Sequence, residues 1–262
     1  MTNDTIRKNL KRDIQGMKTA FFIKLLACVC GASLLLISGC ANAPLDELDN
    51  AKTIDEMNAF AARVGITPTV AEWHGLAEQG DATAQVQLGW MYNNGEGVVK
   101  DDKQAAAWYR KAAEQGQVFA QFNLGMMYFN GQGVPKDYSQ AVAWSRLAAE
   151  QGHVQAQYFL GWMYTNGLGV VQDDWQALSW IRKAAEQGHV KAQVSLSAMY
   201  AQGRGTAPDV KLAYIWSSVA AVNGDADAAH NRDLLAQDLS YAELSDAQAM
   251  AGQYAEAYRP QQ

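Results

Sequence analysis

After Cys40 the sequence contains no cysteine at all; Cys28, Cys30 and Cys40 are all it has. That excludes an internal disulfide and a thiolate metal site from the body of the chain. Proline is scarce as well, five in 262 residues, which argues against a long disordered region. The signatures Ser-x-x-Lys, His-Glu-x-x-His and Gly-x-Ser-x-Gly are missing, and with them the hydrolase chemistries they mark. Basic charge is short outside the beginning of the chain. Residues 1–39 hold six basic and two acidic side chains, which leaves 15 basic and 25 acidic for the rest. An acidic body without a basic stripe repels phosphate backbones, so nucleic acid is excluded as a partner.

The beginning of the chain accounts for the asymmetry. From Met17 it reads "MKTAFFIKLLACVCGASLLLISGC", two lysines ahead of an apolar run and then small residues. Those are the n-region and h-region of an export signal. The run from Leu25 to Ser38 is 14 residues, against the ~20 that a membrane-spanning helix needs. Its end, Leu36 to Cys40, resembles a bacterial lipobox, which implies cleavage before Cys40 and lipid on that thiol. An uncleaved anchor is the alternative; Arg7, Lys8, Lys11, Arg12 and Lys18 then stay cytoplasmic and the rest is exported in either case. The segment ahead of Met17 makes a long n-region, so Met17 is an alternative start.

Beyond the signal the chain copies itself. "AAEQG" stands at 112–116, 148–152 and 184–188, and rows of 36 residues from Asp81, Gln117, His153 and His189 align without an insertion. Such a period suits a helical solenoid, whose units cannot bury their apolar faces alone. In the first row Ala84, Leu88, Met91 and Tyr92 fall on one helical face. Gly95 and Gly97 end that helix. A second helix follows, with Asp101 as N-cap and Gln104 at capping-box spacing, and Asp137 with Gln140 and Asp173 with Gln176 repeat the pair. Short connections make consecutive helices antiparallel. Glu114, Glu150 and Glu186 sit in the last turn, where the helix dipole disfavours them; Arg110, Arg146 and Arg182 stand four residues earlier as candidate partners. Thr53 with Glu56, Thr69 with Glu72 and Ser240 with Glu243 read as capping boxes near the two ends. The boundaries are a signal segment at 1–39, a lipidated tether at 40–52 and an N-terminal cap with a partial row at 53–80. Four full rows follow at 81–224, then a degenerate fifth row and a capping helix at 225–262.

These residues resemble a known family. The A-x-x-x-L-G opening, the MY-x-x-G-x-G loop and the A-x-x-W…A-A-E-Q-G helix of the first row are similar to the Sel-one-like repeat (SLR), a relative of the tetratricopeptide repeat. The resemblance covers roughly residues 70–225. It implies an all-α, right-handed α/α solenoid of antiparallel helix pairs and a non-enzymatic adaptor with a concave, helix-lined surface for a protein partner. A Helicobacter branch binds penicillin-like ligands and carries a cysteine pair in each repeat; an envelope enzyme or cell-wall ligand binder of that kind is the alternative, without those pairs here. The absence of Asp directly after Cys40, where Ala41 and Asn42 stand, resembles outer-membrane lipoproteins and implies the face toward the periplasm. No cofactor and no metal are implied.

Convergent chemistry is hard to find. The Gly-x-Gly pairs belong to turns, because a dinucleotide loop needs a preceding strand and a third glycine. His153 and His189 share a column with no third ligand and read as surface histidines. What varies between rows is free to serve a partner. In the first helix the free face carries Val86 and Trp90 in the first row, then Phe119, Phe122, Met126 and Phe129, then Tyr158 and Trp162, then Val194 and Ala198. Two readings of this stripe stand: packing between first helices, strongest for the column of Phe122 and Tyr158, and a partner groove, strongest for the column of Trp90, Met126 and Trp162. The groove set is Trp90, Phe119, Phe122, Met126, Phe129, Tyr158 and Trp162. Cys40 supplies the membrane link.

Overall fold

Each row is cut into two helices by its glycines and capped by its aspartates, and the computed structural model, which describes residues 69–260, follows that division. Among the described residues there are eleven α-helices, one 3-10 turn and no strand. In chain order they are α1 (Val70–Glu78), α2 (Ala82–Asn94), α3 (Asp102–Glu114), α4 (Val118–Asn130), α5 (Tyr138–Glu150) and α6 (Val154–Asn166). Then come α7 (Asp174–Glu186), α8 (Val190–Gln202), α9 (Val210–Val222), α10 (Ala226–Leu235) and α11 (Tyr241–Ala257). The signal segment, Cys40, the tether and the Thr53–Glu56 box lie outside the described residues.

The chain divides between Gln117 and Val118 into two compact units. In the first, α1, α2 and α3 pack in sequence around Trp73, Leu88, Met91 and Trp108. In the second, each helix from α4 to α9 packs on the next around Leu160, Met163, Trp180, Leu196 and Trp216, and α10 and α11 both pack on α9. The alanine columns are buried, apart from a half-buried Ala221, which lets helix backbones approach. The tryptophan column is buried at Trp108, Trp180 and Trp216; Trp144 is only half-buried.

Capping follows chemistry with one correction. Thr69–Glu72 and Ser240–Glu243 form closed boxes. The second helices do not. Asp101, Asp137, Asp173 and Asp209 each accept backbone N–H bonds from the first turn, yet their own N–H groups donate to the carbonyls of Tyr92, Tyr128, Tyr164 and Tyr200. With that donor already satisfied, Gln104, Gln140 and Gln176 have no box to close, and the fourth row carries Leu212 there.

The Gly-x-Gly loops use their glycines differently. Gly167 ends α6 with φ 65°, a left-handed cap. Gly169 has φ 70°, and a side chain there would run into the Tyr138 carbonyl at the start of α5; Gly205 meets the Asp174 carbonyl in the same way. In these two rows the second glycine thus seats the loop on the row before it.

The repeated "AAEQG" also resolves. In its second copy the alanine carbonyls of Ala148 and Ala149 accept from His153 and Gly152, both at 3.1 Å, which closes α5. Glu150 stays exposed and has no ion pair with Arg146, contrary to the pairing expected from sequence. Arg146 donates instead to the Tyr164 hydroxyl and Arg182 to that of Tyr200, each at 2.7 Å, linking a second helix to the first helix of the next row. With the arginine ahead of the glutamate the i,i+4 order is the weaker one, so little holds Arg146 to Glu150 along the helix. His74 makes the same contact with Tyr92 at 3.0 Å. The glutamine is the structural member of the motif: Gln115, Gln151 and Gln187 donate to Gln85, Gln121 and Gln157 at 2.7–2.8 Å, and Asn223 to Gln193 at 2.9 Å. Gln85, Gln157 and Gln193 in turn donate to the carbonyls of Ala77, Ala149 and Ala185. Each pair satisfies buried amides and fixes the register of neighbouring helices.

Candidate functional site

The variable stripe on α4 faces α6, and aromatic rings fill the space between them. Phe129 meets Phe159 edge-on at 5.2 Å and Trp162 edge-on at 5.6 Å, while Phe159 and Trp162 stack at 6.1 Å. Such pairs prefer these offset and edge-to-face geometries. Tyr138 from α5 packs on Phe129 at 5.3 Å, and the Lys136 ammonium lies over the Tyr138 ring at 4.8 Å. Trp162 remains 36% exposed, so one large aromatic face is presented while its other contacts hold it in place.

Beyond Trp162 the surface dips. Tyr158 and Trp162 on α6, Ile181 on α7 and Ser195 and Met199 on α8 line a cavity of about 190 Å³, with Arg204 at its edge. Arg204 is held by Asp174 at 2.6 Å, which neutralises its charge. The cavity is a recess of mixed character: Trp162, Ile181, Ala198 and Met199 are apolar, while Thr165, Ser195 and Gln202 add polar groups. Among the described residues no group of three or more His, Cys, Asp or Glu side chains could hold a metal ion.

The expected groove residues fall into distinct environments. Phe122 packs at a tilt on the His153 ring at 4.7 Å and meets Phe159 edge-on at 6.4 Å, and Tyr158 packs at a tilt on His189 at 4.6 Å. Their column packs between rows. Phe119 and Met126 are half-buried on α4. Trp90 belongs to the other unit, where it packs against the core around Leu88 and Trp108. Cys40 lies outside the described residues. Sequence reasoning missed Phe159. Its column reads Gln87, Asn123, Phe159 and Ser195, and the single apolar member, four residues after one stripe column and three before another, was the available signal.

The histidines are not surface residues. His153 and His189 are half-buried N-caps whose Nδ1 atoms accept from the N–H groups of Ala156 and Ala192, each at 3.2 Å. Burial pushes both pKa values down, with Lys191 adding to the effect at His189. The neutral imidazole is the form that can accept, so cap geometry and titration agree.

Comparison with known proteins extends the picture. A model of the Sel1 repeat matches residues 82–117, 118–153, 154–189 and 190–225, one residue later than the rows drawn from Asp81. A protective antigen of uropathogenic Escherichia coli strains, displaying an SLR fold, is 34% identical with a TM-score of 0.65; the match covers 85% of this chain and 46% of that one. The chain thus spans less than half of that protein's length. A Sel1 repeat protein from Oxalobacter formigenes is 32% identical with a TM-score of 0.58, covering 85% of both chains. No curated protein matches.

Proposed function

The chain belongs to the Sel1 repeat family, and on that premise we propose that it is an exported, lipid-anchored, non-catalytic adaptor that binds a protein partner through the aromatic surface of α4 and α6. Solenoids of this family commonly serve protein–protein interaction and are generally non-catalytic. The observation that carries the reading is Trp162: exposed at 36%, fixed by Phe129 and Phe159, and set beside a cavity. Preordered aromatic anchors next to a recess are the usual centres of binding energy. Export and anchoring rest on the sequence ending in Leu36–Cys40. Outer-membrane attachment rests on Ala41 and Asn42 in the positions after the cysteine.

A partner captured from envelope extract by the wild-type chain should bind Trp162→Ala about tenfold or more weakly, as truncation of an anchor costs ~2 kcal/mol. Phe129→Ala and Met126→Ala beside it separate anchor from packing. Because Phe129 touches three rings, its variant should lose both stability and affinity, whereas Trp162→Ala should lose mainly affinity. Unchanged affinity of the folded Trp162→Ala protein removes the groove. The anchor is tested separately: the mature wild-type protein should carry lipid at Cys40 by intact mass, and Cys40→Ala should carry none. Multiple acyl chains are needed for stable attachment.

A further inference from the structure

The last row holds a peptide, and it is the chain's own. After α11 the segment Tyr258–Pro260 turns back onto the fourth row. The Tyr258 carbonyl accepts from Gln193 Nε2 at 3.1 Å and from Asn223 Nδ2 at 3.0 Å. Its ring stacks on Trp216 at 5.5 Å. The following backbone, at Arg259 and Pro260, passes so close to Gly188 that a Cβ there would collide with it, and Gly188 is buried beneath it. Glu186 lies close enough that, after burial, its charge is the next cause of the raised Tyr258 pKa.

The third row repeats these parts with nothing on them. Gly152 corresponds to Gly188, Gln157 to Gln193, Gln187 to Asn223 and Glu150 to Glu186, one row of 36 residues earlier. Gly152 is exposed and a Cβ built on it meets no atom within 4 Å. Gln157 Nε2 donates to Ala149, as Gln193 does to Ala185, which leaves its second proton where Gln193 uses one for Tyr258. Gln187 gives one amide proton to Gln157 and the other, at 3.4 Å, to the Lys183 carbonyl of its own helix. That second bond is long enough to exchange for a better acceptor.

We propose that Gly152, Gln157 and Gln187 form a second binding site, separate from the aromatic groove, for a basic peptide segment of a partner protein, whose backbone carbonyl is taken by the paired amides. The chain's own tail sets the occupant's chemistry. Its Tyr258, the cap residue that ends α11, supplies the carbonyl, Arg259 follows it in sequence, and the charge of Glu186 reaches Tyr258. Glu150 offers the same charge in the third row, within a body of net negative charge.

The probe is a blocked peptide with the sequence of residues 257–262, Ala-Tyr-Arg-Pro-Gln-Gln, titrated calorimetrically into the full chain. Saturable binding is expected. Gln187→Ala should weaken it about fivefold, the worth of one hydrogen bond. Gln187→Asn should tighten it about threefold, because the shorter amide cannot bond its own helix and copies Asn223. Glu150→Lys, an exposed change, should weaken it about threefold and flatten its salt dependence. Trp162→Ala should leave it unchanged, which separates this site from the groove. Absence of saturable binding at millimolar peptide overturns the proposal. So does equal affinity in Gln187→Ala, Gln187→Asn and wild type, with thermal midpoints showing all three folded.

Discussion

The first and second helices of the rows obey different rules. Second helices begin on the same residue four times, Asp101, Asp137, Asp173 and Asp209, whereas first helices begin after Asp81, Gln117, His153 and His189. The caps themselves are tied alike. Asp173 accepts from Gln176 with its carboxylate and its N–H donates to Tyr164; His153 accepts from Ala156 with its ring and its N–H donates to Ala148. What differs is where the backbone bond goes: from Asp173 back to the first helix of its own row, from His153 onto the end of the helix just before it, while the His153 ring also serves as a surface for Phe122. An N-cap needs a side chain that accepts from the first turn, and aspartate and histidine both supply one. The tryptophans divide less cleanly: Trp108, Trp180 and Trp216 of the second helices are buried, Trp144 is half-buried, Trp175 at the start of α7 is exposed, and Trp162 of a first helix reaches the surface. The second helices hold the array together, and the first helices are where rows differ.

The largest test of that contrast compares Trp180→Ala with Trp162→Ala. Trp180 is 8% exposed and Trp162 36%. Loss of the buried ring should cost about 3–5 kcal/mol in denaturant unfolding, while the exposed one should cost well under half of that. Equal losses would erase the distinction between scaffold and free face. Next comes Gln193→Leu, which should cost about 1–3 kcal/mol by stranding buried groups that Gln193 now satisfies at Ala185 and Asn223.

Smaller and more selective is the pH response of the caps. At neutral pH, Asp173→Ala and His153→Ala should each cost about 1 kcal/mol. The histidines have folded pKa values below the ordinary 6.5, so between the two values the unfolded chain binds more protons than the folded one. Their contribution is full above about pH 6.5 and declines as pH falls below it, levelling off beneath the folded values. Replacing His153 and His189 by Asp, as at Asp81, should leave stability at neutral pH nearly unchanged and flatten thermal midpoints measured from pH 7 to pH 5. An unaltered slope refutes the cap assignment. The smallest effect is expected for Tyr200→Phe, which removes the hydroxyl bonded to the exposed Arg182 and should cost under about 1 kcal/mol.

Much of this was legible in the order of residues. Glycine, aspartate and the spacing of Ala84, Leu88 and Met91 locate the helices because those signals act within a few residues. What escaped notice acts between helices. The bond from Gln187 to Gln157 spans 30 residues, and only the folded array brings the two amides together; two glutamine columns held nearly fixed across rows were its trace. The Arg146 contact failed as predicted for the same reason, since the nearest carboxylate along the helix lost to a phenol 18 residues away. At the candidate site, Phe129 and Trp162 were visible as variation within a column, but Phe159 became visible only when its neighbours closed around it.

The ties between rows recur at set sequence separations: 8 residues from Gln157 to the Ala149 carbonyl, 18 from Arg146 to Tyr164, and 30 within each glutamine pair. Such an arrangement has a grammar. A single inserted or deleted residue shifts every partner downstream of it in that row, while the gain or loss of a whole 36-residue unit preserves each separation. Duplication of residues 154–189 would join compatible ends, since the new copy would begin after a cap histidine and finish on one. The length of this protein is therefore free to change during evolution or engineering, but only in steps of one full repeat.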